Sequence, residues 1–197
     1  MKKIILSVII VISFALSTKA QTGSILVYGN VGIASSSSSD NISGGSSSKE
    51  TNSSLNLGLG YQFNSNWTGG LNFQYAYENS NGVLQQYMID PFIRYAKPIS
   101  SIFSIYGQFQ AGYSRTSFSP NPDNERINGF NAQIFPAVFV NIKNGFGLNF
   151  NFGGIQYNSG NEKDDAGNSS SSKAFSFTFG QGINFGISKN FGGKSHS

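Results

Sequence analysis

The chain has no cysteine, one histidine, five prolines and few charges: Asp, Glu, Lys and Arg together make up 11% of its 197 residues, against about 25% in ordinary soluble domains. Without cysteine there can be no disulfide-stapled module, no thiolate zinc site and no lipoprotein anchor. The lone histidine, His196, lies in the C-terminal tail. A Ser-His or Asp-His catalytic pair in the body of the chain is therefore excluded, and the expectation is a protein that is not an enzyme. The basic balance, net +4 with a pI near 9.3, gives no nucleic-acid footprint. Three of the 13 basic residues (Lys2, Lys3, Lys19) lie in the first twenty, leaving ten against nine acidic ones.

Those lysines have another explanation. Lys2 and Lys3 precede an apolar run from Ile4 to Leu16, and Ser17-Thr18-Lys19-Ala20 ends in a small residue suited to signal-peptidase cleavage before Gln21. Thirteen apolar residues fall short of the ~20 that a spanning helix needs. The expected organisation is a signal peptide over 1–20 and one domain over 21–197, exported from the cytoplasm.

What the chain has in quantity is aromatic residues (18 Phe, 9 Tyr) and glycine (24), arranged in segments that alternate apolar and polar residues with period two. Residues 25–34 align Ile25, Val27, Val31 and Ile33, and residues 55–63 align Leu55, Leu57, Leu59, Tyr61 and Phe63. The device recurs over 67–77 (Leu71, Phe73), 83–95 (Tyr87, Ile89, Ile93, Tyr95), 102–116 (Phe103, Ile105, Phe109, Tyr113) and 129–142 (Phe130, Ile134, Val138, Val140). It closes with 146–157 (Phe146, Leu148, Phe150) and 174–191, where Phe175, Phe177, Phe179, Ile183, Phe185, Ile187 and Phe191 face one way and Ser, Thr, Gly and Asn the other.

Eight such strands, each about the 9 to 11 residues that cross a bilayer at a tilt, return both chain ends to one side. The connections alternate as well. Asn64-Ser65-Asn66, Lys97 to Ser101 and Lys143-Asn144-Gly145 are short, the last with an Asn-Gly hairpin pair. The segments 35–54, 117–128 and 158–173 are long and polar, two of them serine-rich (Ser35 to Ser39, Ser46 to Ser48, Ser169 to Ser172). In a water-soluble barrel the apolar face turns inward. Here that face is too bulky to fit eight times into a cylinder only wide enough for side chains to fill, whereas Gly, Ser, Asn and Gln suit such an interior. The apolar face therefore meets lipid. Asp90 and Arg94 fall on the inward parity, and Lys189, outward near a strand end, can snorkel.

The residues resemble the small eight-stranded bacterial outer-membrane barrels of the OmpA/OmpX type, over Gly23 to Phe191. The most specific piece is the terminal strand, whose Phe185, Ile187 and Phe191 are similar to the assembly signal of such barrels. Those usually stop at the aromatic, whereas Gly192 to Ser197 follow here. The resemblance implies an all-β, eight-stranded antiparallel up-and-down transmembrane β-barrel in the outer membrane, with long loops extracellular and termini periplasmic. It further implies a monomer whose partners are outer-membrane lipid and, during biogenesis, the barrel-assembly machinery.

Chemistry is sparse. Asp90 and Arg94 form a candidate lumen charge network, each expected to bond with a neighbouring strand, since four residues of one strand separate them by ~13 Å. Glu162, Asp164 and Asp165 form an acidic run expected to be solvated, and no metal or cofactor site is expected. The Asn66-Trp67-Thr68 and Asn168-Ser169-Ser170 sequons carry no weight in a bacterial-type export product, and Gly69-Gly70 and Gly153-Gly154 suggest bends or bulges. Inward Tyr28, Phe92, Arg94, Tyr106, Phe135 and Phe139 oppose glycine-rich inner faces, so the lumen should be filled. That favours a non-catalytic structural or adhesion-like role through the serine-rich loops over the alternative, a narrow solute channel.

Overall fold

The computed structural model describes residues 23–39, 47–80, 82–119, 126–163 and 169–192. Segment 1–20, Asp164, Asp165, Asn168 and His196 lie outside them. Eight strands follow in order: β1 (Ile25–Ser39), β2 (Ser47–Gln62), β3 (Trp67–Asn79), β4 (Val83–Pro98), β5 (Phe103–Ser119), β6 (Arg126–Lys143), β7 (Phe146–Lys163) and β8 (Ser169–Phe191). Each pairs antiparallel with the next, and β8 returns to β1 to close the barrel. All eight expected segments are strands, and most run well past their expected outer ends, into the serine runs at Ser35 to Ser39 and Ser169 to Ser172. Alternating hydrophobicity marks only the part of a strand that meets two different solvents, so these extensions carry no periodic signal.

The short turns have simple causes. Asn144 and Gly145 both take positive φ (51° and 74°), the type I′ geometry whose twist matches a hairpin. Between β4 and β5 the Ser100 hydroxyl accepts bonds from the Ile102 and Phe103 amides at 3.3 and 3.0 Å.

The wall is polar inside and apolar outside. Leu71 is 57% exposed while its neighbour Asn72 is 1% exposed. The same contrast recurs around the barrel, with Ile25, Leu59, Ile89, Ile105, Ile134 and Phe185 on the outer surface and Thr68, Gln108, Gln110, Asn131 and Ser188 buried within. Near the short-turn end the Trp67 and Tyr95 rings meet at a tilt with centroids 4.9 Å apart, and Phe103, Phe146 and Phe191 stand outward at the strand ends beside the short turns or the chain end. At the other end Tyr87, Tyr113 and Phe130 stand outward on adjacent strands. On β5 the apolar outward positions run from Phe103 to Tyr113, which at the usual rise and tilt is roughly the 25 Å height of a lipid-facing band.

Two irregularities keep this parity intact. Between Ile134 and Ala137 of β6, β7 holds one residue more than its partner, and Gly153 there takes φ 105°. This bulge returns Ile155 to the outside, although Phe146, Leu148 and Phe150 have the opposite sequence parity. Pro136 lies at the same place and, lacking an N–H, interrupts no ladder. Opposite Asn151 to Gly153, β8 holds three extra residues between Phe179 and Asn184. Gly69-Gly70, by contrast, makes no bulge. The β2–β3 and β3–β4 registers pass through it unshifted, and a Cβ at Gly70 would stand 2.8 Å from the Phe92 ring and 2.1 Å from the Leu59 carbonyl.

The closing seam is short. The β1–β8 pairing covers only Ile25↔Phe191 to Gly29↔Ile187, whereas β1 and β2 pair from Ile25↔Tyr61 to Ser39↔Ser47. Beneath the seam the two ends of the barrel meet, a Cβ at Gly192 lying 3.5 Å from the Gly23 carbonyl oxygen.

Candidate functional site in the barrel lumen

Inward positions at mid-barrel meet in one cross-lumen layer. Asp90, on β4, is fully buried, and its Oδ2 accepts from Gln74 Nε2 (2.9 Å, β3), Gln110 Nε2 (3.3 Å, β5) and Asn131 Nδ2 (3.4 Å, β6). Arg94, one helical-looking step of four along the same strand but on the same face because strands repeat every two residues, donates from Nε and Nη2 to Gln108 Oε1 at 2.9 and 2.7 Å. The two charges do not touch. Gln108 and Gln110 join them: Gln108 Nε2 donates to Gln110 Oε1 at 2.8 Å. Each amide thus turns its oxygen toward the cation and its N–H toward the carboxylate, so the two dipoles lie head to tail between opposite charges. Such chains strengthen in a low dielectric.

Aromatic rings complete the layer. The Arg94 guanidinium lies 4.1 Å from the Tyr106 ring centroid and 4.7 Å from that of Tyr28, contacts worth about 0.5 to 2 kcal/mol each. Tyr28 also accepts from Gln108 Nε2 (3.0 Å) and donates to Asn72 Oδ1 (3.1 Å), and it meets Phe92 edge to face. Tyr106 donates to Asn149 Oδ1 at 3.2 Å, and Asn149 Nδ2 donates to Ser188 at 2.9 Å. The hydrogen bonds therefore tie β1, β3, β4, β5, β6, β7 and β8. Beside them Tyr106, Phe135 and Ala137 form a small apolar core with Ala96 and Phe139.

Glycines on the facing strands make room for these rings. A Cβ at Gly58 would fall 2.1 Å from the Tyr28 ring, and one at Gly147 would fall 2.5 Å from Phe139. A polar cavity of about 230 Å³ remains beside the layer, bordered by Tyr28, Arg94, Gln108, Gln133, Asn151 and Asn184.

The sequence places Asp90, Arg94, Gln108 and Gln110 on the inner face but does not show that the glutamines link the charges, because parity fixes the facing of a side chain and not its partner. The one available signal is the i, i+2 pair Gln108 and Gln110, opposite the charged strand. Phe185, Ile187 and Phe191 stand on the outer surface of β8, where Ile187 and Phe191 pair with β1 across the seam. Glu162 lies in β7 on the inward register, opposite Ile127 and Ser170. Among the described residues no group of His, Asp and Glu could hold a metal ion.

A closed barrel that is apolar outside and hydrogen-bonded within belongs to the transmembrane β-barrels, because only closure satisfies every strand edge in lipid. The chain is a member of the outer membrane protein beta-barrel domain family, whose model matches residues 6–194. Its place is accordingly the outer membrane. No curated protein matches the chain. Among solved structures, Neisserial surface protein A is similar in fold at 15% identity, covering 86% of this chain and 98% of its own, with a TM-score of 0.52. The outer membrane protein OprG from Pseudomonas aeruginosa matches at 14% identity over 86% of this chain and 99% of its own, with a TM-score of 0.47.

Proposed function

We propose that this chain is a non-conducting, non-catalytic integral protein of the outer membrane that acts at the cell surface. Its serine-bearing strand extensions and long loops face outward for adhesion-like contacts, and its termini face the periplasm. The observation that carries this reading is the cross-lumen layer. Asp90, Gln110, Gln108, Arg94, Tyr28 and Tyr106 bridge the lumen with bonded side chains, and opening a path through them would strand two buried charges, at a cost of several kcal/mol. On the same reading a signal peptide over 1–20 directs export, Phe185, Ile187 and Phe191 present the assembly signal, and the barrel is a monomer. The polar cavity beside Arg94 favours the second reading, a narrow solute channel. Planar-bilayer recordings of the refolded chain distinguish the two. The expected trace is silent at both polarities, and discrete ion-selective steps that change with Arg94→Gln would establish the channel instead.

A further inference from the structure

Charges on the barrel wall are sorted by face at the long-loop end. Glu50, Glu78 and Glu162 occupy inward register positions, paired with Ser36, Leu84 and Ile127. Arg115, Arg126 and Lys173 are exposed on the outward register, opposite Asn128, Ser117 and Ser159. Arg115 is the first outward position beyond Tyr113 on β5, which places it directly above the apolar band. Arg126 sits diagonally across from it on β6, since Arg115 pairs with Asn128. Diagonal neighbours on one face are about 7 to 8 Å apart, within reach of long side chains. The two arginines border a recess of about 490 Å³ with Tyr87, Ile89, Tyr113 and Phe118. The Tyr113 hydroxyl donates to Asn128, tethering the ring between the cations and the band. The described residues lining the recess include no carboxylate.

We propose that this recess on β4, β5 and β6 binds the phosphate headgroup of an anionic membrane lipid, with Arg115 and Arg126 forking the phosphate oxygens and Ile89, Tyr87 and Tyr113 lying toward the acyl chains. A planar guanidinium matches phosphate oxygens in paired hydrogen bonds, which an ammonium cannot do. Aromatic rings bounding an apolar wall belong at the depth where headgroups begin.

The test uses the refolded full chain in phosphatidylcholine nanodiscs carrying a tenth of phosphatidic acid, with lipid retention read by native mass spectrometry. Phosphatidic acid should stay bound through removal of the disc, and phosphatidylcholine should not. Arg115→Gln with Arg126→Gln should lower retention about tenfold, equivalent to roughly 1.4 kcal/mol. Lys173→Gln, on β8, should change it less than about twofold. Heat-modified gel mobility confirms that each variant is folded. Equal retention by the double variant, or an equal loss in Lys173→Gln, overturns the site. Release by millimolar inorganic phosphate shows that free phosphate is the ligand and overturns the lipid assignment. Because the binding is measured in nanodiscs, it is independent of which way the barrel points in the cell.

Discussion

Leu71 and Asn72 differ by one position along β3 and by almost everything else: one meets lipid, the other is sealed inside with its Oδ1 bonded to Tyr28. Leu71→Arg near mid-membrane should cost about 2 to 4 kcal/mol, measured by urea titration in lipid vesicles. The sequence alone suggests that Asn72→Ser and Asn149→Ser are nearly neutral, as small changes in a polar lumen. The structure changes that expectation. Asn149 accepts from Tyr106 and donates to Ser188, so Asn149→Ser should cost about 1 to 3 kcal/mol, and Asn72→Ser about 0.5 to 1.5. A cost for Asn72→Ser above that of Leu71→Arg would mean that the faces are reversed. Gly58 is a second decisive residue, because its missing Cβ is where the Tyr28 ring lies. Gly58→Val should destabilise by about 1 to 3 kcal/mol through overpacking, and the penalty should shrink in a Tyr28→Ala background. Additive costs in that double-mutant cycle would show that the ring and the glycine are not in contact.

The transmembrane parts of the strands were legible because each has two solvents, and period-two alternation records both. Leu55 to Tyr61 and Phe175 to Phe179 needed no other information. Strand ends were not legible: beyond the band the sequence of Ser35 to Ser39 is polar at every position, so only the backbone register with β2 marks it as strand. The β7 bulge was marked in the sequence by Gly153-Gly154, whereas the extra residues of β8 carry no such mark and are visible only against a partner strand. The lumen layer was half legible, with Asp90 and Arg94 marked by charge and parity while Gln108 and Gln110 join them through a geometry that β1, β4 and β5 decide. The weakest pairing is the seam. Above Gly29 the amides of β1 that point away from β2 have no described partner on β8, so in micelles peptides spanning Asn30 to Ile33 should lose protection at alternate amides. Those over Leu55 to Leu59, paired on both sides, should stay protected. Hydrogen exchange followed by mass spectrometry measures the difference, and uniform protection of both segments would show that the seam extends further.

For the whole molecule, the proposed function needs the serine-bearing end of the barrel to face outward. Protease added to intact cells should cut within 35–54 or 158–173 and leave the turns at Asn64 to Asn66 and Asn144-Gly145 untouched, and cleavage confined to those turns would invert the barrel. The meeting of Gly23 and Gly192 has a different consequence, for the order of events in time. Seven of the eight pairings join neighbours in the chain and require only their own connection to close, while the eighth joins its two extremes, which is the slowest kind of contact to find. A circularly permuted chain, with Gly23 and Gly192 linked and new ends opened inside 120–125, would turn that eighth pairing into an ordinary hairpin and make β5 and β6 the distant partners instead. Since β5 and β6 pair along most of their length, the permuted chain would finish on a long ladder instead of a five-residue one. The native order of strands, on this view, leaves the least committed junction for last.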